Sequence, residues 1–101
     1  MAAKTYAACG YPDEETKHHQ GGAIGYRSRE WIAHPASAER LGPAAALAWN
    51  PSVTGTKVED TCLITPSGVE MITTSPGWPA SAATAQGRTI LLHDHLVLDP
   101  E

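Results

Sequence analysis

The strongest patterning lies mid-chain, where short apolar or β-branched runs alternate with turn residues. Residues 46–50, 57–65 and 69–74 each have the length and content of a strand. Asn50-Pro51-Ser52-Val53-Thr54-Gly55 joins the first two, and Pro66-Ser67-Gly68 joins the second pair. Both joints carry the proline, glycine and serine chemistry of hairpins. Alternation along 57–65 sets Val58, Asp60, Cys62 and Ile64 on one face and Lys57, Glu59, Thr61, Leu63 and Thr65 on the other. Neither face is purely apolar, so the polar residues there are either solvated or part of a site.

The flanks are less regular. Residues 2–9 read as the end of an alanine-rich helix, with Gly10 as a left-handed stop and Pro12 just beyond it. Residues 13–17 form a short charged segment. Residues 18–26, His-His-Gln-Gly-Gly-Ala-Ile-Gly-Tyr, are too backbone-permissive to be regular throughout. Residues 28–35, with Trp31 and Ile32, suit a short strand. Residues 36–45 read as a turn-rich connector with at most one helical turn. After Pro76 a loop rich in Pro, Ala, Ser and Thr is expected to run to Gly87, followed by a last strand over 89–98. No internal repeat is present.

Composition changes the picture in one respect. Val, Ile and Leu together number 16 of 101 residues, there is no Phe, and alanine supplies another 16. Alanine buries few methylenes, and each buried methylene is worth about 0.8 kcal/mol. A core this poor is expected not to close alone. Seven Lys+Arg against 11 Asp+Glu, a net charge of −4, leave no basic footprint for nucleic acid. The longest apolar runs fall far short of the ~20 residues of a membrane span, and residues 1–5 lack the apolar stretch of a secretory signal. Cys9 and Cys62 form neither a metal-type pair nor a disulfide framework. A reduced, cytoplasmic protein is the expectation.

Three groups of residues could carry chemistry. His18-His19 and His93-Asp94-His95 offer imidazoles, and two such rings spaced two apart on a strand can share a metal ion. Their ordinary alternative is a solvated strand face. Gly21-Gly22-Ala23-Ile24-Gly25 could bring backbone amides to a phosphate, but no helix pattern follows it, so a tight backbone crossing is the better reading. Glu59 beside Asp60 places acids in a presumed strand, where they need a cation, a hydrogen-bond donor or a metal. Pairing of Glu59 with an Arg or Lys and a role in a site are equally compatible with composition.

The order of these pieces resembles the C-terminal half of the pita-bread metallopeptidases: methionine aminopeptidase, aminopeptidase P, prolidase and the metal-free creatinase. Residues 18–30, then Ala48-Trp49-Asn50-Pro51, then Lys57-Val58-Glu59-Asp60-Thr61-Cys62-Leu63-Ile64-Thr65-Pro66-Ser67-Gly68-Val69-Glu70, follow the family order H-x-x-G-H-G-I-G-L-x-x-H-E, I-E-P-G and R-I-E-D-T-x-L-V-T-x-x-G-x-E. The third block is the most specific. The resemblance implies an α+β fold, the C-terminal half of a pita-bread domain, built as an antiparallel β-meander with one or two short helices. Residues 1–75 would be the partial peptidase-like domain and 76–101 its C-terminal loop and strand extension. The family's two metal-binding aspartates would lie upstream of these residues.

Residue by residue, the resemblance implies a degraded site. His18 falls on the substrate-side, proton-shuttling histidine. The metal-binding histidine falls on Gly22, the second substrate-side histidine on Arg29 next to the matching Glu30, and the first metal-binding glutamate on Asn50. Only Glu59 keeps a family ligand in place, with His19 as a possible substitute. An amide is a poor stand-in for a carboxylate on a divalent cation. The family reaction uses a metal pair to make hydroxide near neutral pH. The implied reading is therefore a partial or degenerate Xaa-Pro peptidase-like domain without dinuclear catalysis of its own. No cofactor is expected, and Mn, Zn or Co would enter only if a partner restored the site. Arg29 and Asn50 would contact substrate. The alternatives are a creatinase-like, metal-independent hydrolase of a small polar substrate using His18 and Glu59, and a His-based metal- or ligand-binding module. The expected partners are a second copy or the absent N-terminal half, with neither nucleic acid nor membrane.

Overall fold

The computed structural model describes residues 2–94 and 96–98. Helix α1 (Ala2–Ala8) ends because Gly10, at φ 90°, can reverse the chain. The Tyr11 amide then donates to the Tyr6 carbonyl and the Gly10 amide to that of Ala7, satisfying carbonyls that a helix end otherwise orphans. None of the helix is buried. Its anchor is Tyr6, whose hydroxyl donates to the Ser52 carbonyl (2.9 Å) and accepts from the Ser52 amide (3.0 Å). The charged segment forms a 3-10 turn (Glu14–Thr16), and Glu14 is tied to Thr54 by accepting its amide at 2.9 Å.

Among the described residues nine strands follow: β1 (Gly21–Ile24), β2 (Trp31–Ile32), β3 (Ala45–Trp49), β4 (Ser52–Val53), β5 (Thr56–Lys57), β6 (Asp60–Thr65), β7 (Gly68–Met71), β8 (Ala80–Ala85) and β9 (Arg88–His93). Five of them make an antiparallel sheet in the order β2-β1-β3-β6-β7, while β4-β5 and β8-β9 are two-stranded hairpins. The architecture is α+β with antiparallel sheets, as expected at that level. No described helix is long and apolar enough to cross a membrane.

Residues 18–26 are regular only over β1, where Gly21 and Gly22 are buried between β2 and β3. A Cβ on Gly22 would overlap the Trp31 carbonyl oxygen, and one on Gly21 would overlap that of Ala48. The glycines make the tight backbone crossing that was expected of them, because neighbouring backbones pass too close for any side chain. One expectation needs correction: 77–87 is not a loop. Residues 80–85 form β8, turned into β9 by Gln86 and Gly87, whose φ values of 51° and 76° suit a two-residue hairpin turn.

Smaller differences follow from local geometry. The run 57–65 is split, with residues 56–57 closing onto β4 around Thr54-Gly55 before the chain enters β6 at Asp60. The connector 36–45 has no helical turn among its described residues, and the last strand ends at His93 rather than 98. The core is as thin as composition implied. Leu47, Ala48 and Cys62 are its buried apolar residues, and no described side chain is completely enclosed.

Candidate functional site

Strand register brings most of the proposed site residues together. Gly21 pairs with Trp49 and Trp49 with Asp60, so the positions one step further, Gln20, Asn50 and Glu59, line up at the same end of β1, β3 and β6. The Asn50 amide extends the ladder by donating to the Gln20 carbonyl at 2.8 Å. His18 and His19 precede this row, with ring centroids 4.2 Å apart, and Asn50 Nδ2 lies 3.5 Å from His18 Nδ1. Arg29 reaches in from the β1–β2 turn, with Nη2 3.8 Å from Glu59 Oε1. The pairing of Glu59 with an Arg or Lys is present: the Lys57 ammonium, a residue not placed in the site from sequence, stands 3.0 Å from Glu59 Oε2. The spacing 57/59, two residues on one strand face, was the available signal.

These contacts set the charge states. The Lys57 hydrogen bond, with Arg29 behind it, holds the Glu59 carboxyl below its ordinary range. Burial, followed by the neighbouring His18 and Arg29, holds His19 below the ordinary histidine value, so the ring favours its neutral form. Asn50 is 3% exposed, and its Oδ1 makes no hydrogen bond; neither do His19 Nδ1 and Arg29 Nε. The cluster thus holds an amide acceptor, two imidazoles and two fixed cations around one carboxylate.

That donor set does not fit a metal pair. The position matched to the metal-binding histidine, Gly22, has no room for a side chain. Asn50 offers a neutral oxygen, and Glu59, the one matched carboxylate, already pairs with Lys57 and lies beside Arg29. Among the described residues no group of three or more His, Cys, Asp or Glu is placed to hold an ion. Glu30 is occupied locally, accepting the Arg27 amide at 2.8 Å to close the β1–β2 turn.

A second polar feature adjoins the cluster. Asp60, buried in β6, accepts from the Thr73 hydroxyl at 2.5 Å, and Thr73 Oγ1 accepts the Thr61 amide at 3.2 Å. His93 Nδ1 lies 4.0 Å from Asp60 Oδ1, while its Nε2 accepts the Ser75 amide at 3.1 Å. A neutral His93 so arranged has no lone pair left for a metal. It ties the C-terminal hairpin to the sheet. His95, its proposed partner, lies outside the described residues. Between residues 56–59 and this hairpin runs a cleft of about 630 Å³ lined by Lys57, Glu59, Trp78 and His93 among others.

Comparison with family models, with curated proteins and with solved structures finds no match to this chain.

Proposed function

We propose that the chain is part of a pita-bread-like, Xaa-Pro-peptidase-like domain that has lost dinuclear metal catalysis and retains a polar site for a small polar molecule. One observation carries this reading: position 22, where the resemblance sets a metal-binding histidine, is closed by the Trp31 carbonyl against every side chain. The two cations beside Glu59 support it, because they engage the carboxylate that a metal ion would need. The partner that completes the curved sheet, a second copy or the N-terminal half, would also complete the pocket.

The test is metal analysis of protein purified without a histidine tag, followed by calorimetric titration with Mn, Zn and Co. No tight stoichiometric binding is expected. A pair of firmly held ions per chain sinks the proposal.

One observation favours a metal-independent hydrolase as the second reading. His18 Nδ1 lies 2.9 Å from the His19 carbonyl. An Nδ1–H donated there leaves Nε2 as the basic nitrogen of the neutral ring, the arrangement a general base needs. Turnover of Xaa-Pro peptides or small amidino or N-methyl compounds, abolished by His18→Ala, is the expected outcome under this reading. Turnover that survives His18→Ala removes it.

A further inference from the structure

We propose that the free edge of β8 is a self-association surface, at which a second copy of this chain pairs antiparallel across a two-fold axis to merge two hairpins into one four-stranded sheet. Hairpin β8–β9 touches the rest of the molecule sparsely. Among the described residues β8 pairs only with β9, and five of its six residues are exposed. An isolated two-stranded hairpin is at best marginally stable in water.

The chain exposes more surface than a closed monomer of its mass would. It exposes 7794 Å² at a mass of 10.7 kDa, where a folded monomer of that mass exposes about 5,500 Å². The surplus of about 2,300 Å² exceeds the ~800 Å² that each partner gives up in a standard interface. The radius of gyration, 15.1 Å, is likewise above the ~13 Å of a compact domain of this length.

The chemistry of the edges chooses β8 and a copy of itself. Exposed edges are usually protected by charge, proline or brevity. Edge strand β2 has two residues, β7 carries Glu70, and β9 opens on Arg88. Strand β8 reads Ala-Ser-Ala-Ala-Thr-Ala over six residues and carries no charge. A two-fold axis through an antiparallel pair sets one residue opposite its own copy. With Ala82 or Ala83 at that centre, every facing pair is drawn from Ala, Ser and Thr, so neither bulk nor like charge opposes contact.

Sedimentation equilibrium on the full chain tests this. Wild type is expected to show twice the chain mass at high micromolar concentration. The double variants A82K/A83K and A82E/A83E, which set like charges face to face in either register, should each sediment as monomers. Their equimolar mixture should recover the dimer. Hydrogen exchange on wild type needs no variant: β8 amides should become more protected as concentration rises. Monomeric wild type, dimers indifferent to both charge pairs, a mixture that stays monomeric, or concentration-independent β8 exchange would each overturn the proposal.

Discussion

The five-stranded sheet and the C-terminal hairpin use similar residues to opposite ends. In the sheet, Ala48 is 4% exposed and faces Gly22 across β3 and β1, so small residues let three backbones close up around Leu47 and Cys62. In the hairpin, Ala80, Ala82 and Ala85 lie open to solvent, and Leu91 opposite Ala82 is 56% exposed. Alanine in the first case is a spacer inside a core; in the second it leaves an edge unguarded. The site belongs to the first region, where the register is fixed by contacts that admit no added atom.

The sharpest way to break this contrast is at its glycines. Gly22 does not have a positive φ, so its intolerance of a side chain is purely steric and directed at backbone, which cannot swing aside. Gly22→Ala is expected to cost about 3 kcal/mol or more in urea unfolding, at the upper end of overpacking penalties. Gly87→Ala in the hairpin turn meets no atom and suffers only from its φ of 76°, with an expected cost of about 1 kcal/mol. Equal costs would mean that β1 and β2 are not packed as described.

The two leucines sharpen the same comparison. Leu47, 3% exposed, should lose about 2–4 kcal/mol on truncation to Ala, whereas Leu91→Ala, at concentrations where the chain is monomeric, should fall within about 0.5 kcal/mol of wild type. A large loss at Leu91 in the monomer would show that the hairpin is part of the cooperative core.

How far these features could be read in the sequence depends on what each residue had to do. The helix end at Gly10 and the strands at 45–49, 60–65 and 68–71 were legible because turn chemistry and alternation are local signals. At β1 the close backbone crossing was legible in its glycines, but the strand itself and its partners β2 and β3 were not, since glycine carries no strand signal. Strand β8 was hidden because Ala, Ser and Thr, drawn together by a turn at Gln86-Gly87, carry a weak strand signal. At the site, His18, His19, Arg29, Asn50 and Glu59 are readable as candidates and lie close together, through a register that no single segment reveals. Lys57 escaped because its meaning depends on Glu59, and the Asp60–Thr73–His93 connection escaped because it links segments far apart in the chain.

The mildest expected effect concerns His19, and it separates that imidazole from the carboxylates by pH. Its folded pKa lies below the ordinary 6.5 because burial and the cationic neighbourhood disfavour the imidazolium. The unfolded chain therefore takes up a proton at a pH where the folded chain does not. Stability is full above about pH 6.5 and declines as pH falls from there toward the folded value. Glu59 and Glu14, both held below their ordinary 4.5, contribute stability that is present above 4.5 and lost only at more acid pH, so the His19 window is the first to open as pH falls. Melting temperature followed between pH 7.5 and 5 should fall for wild type, and His19→Gln should flatten that slope while leaving the acid limb below pH 4.5 intact. A slope that His19→Gln leaves unchanged would mean that the imidazole is solvated and that the row of Gln20, Asn50 and Glu59 does not enclose it.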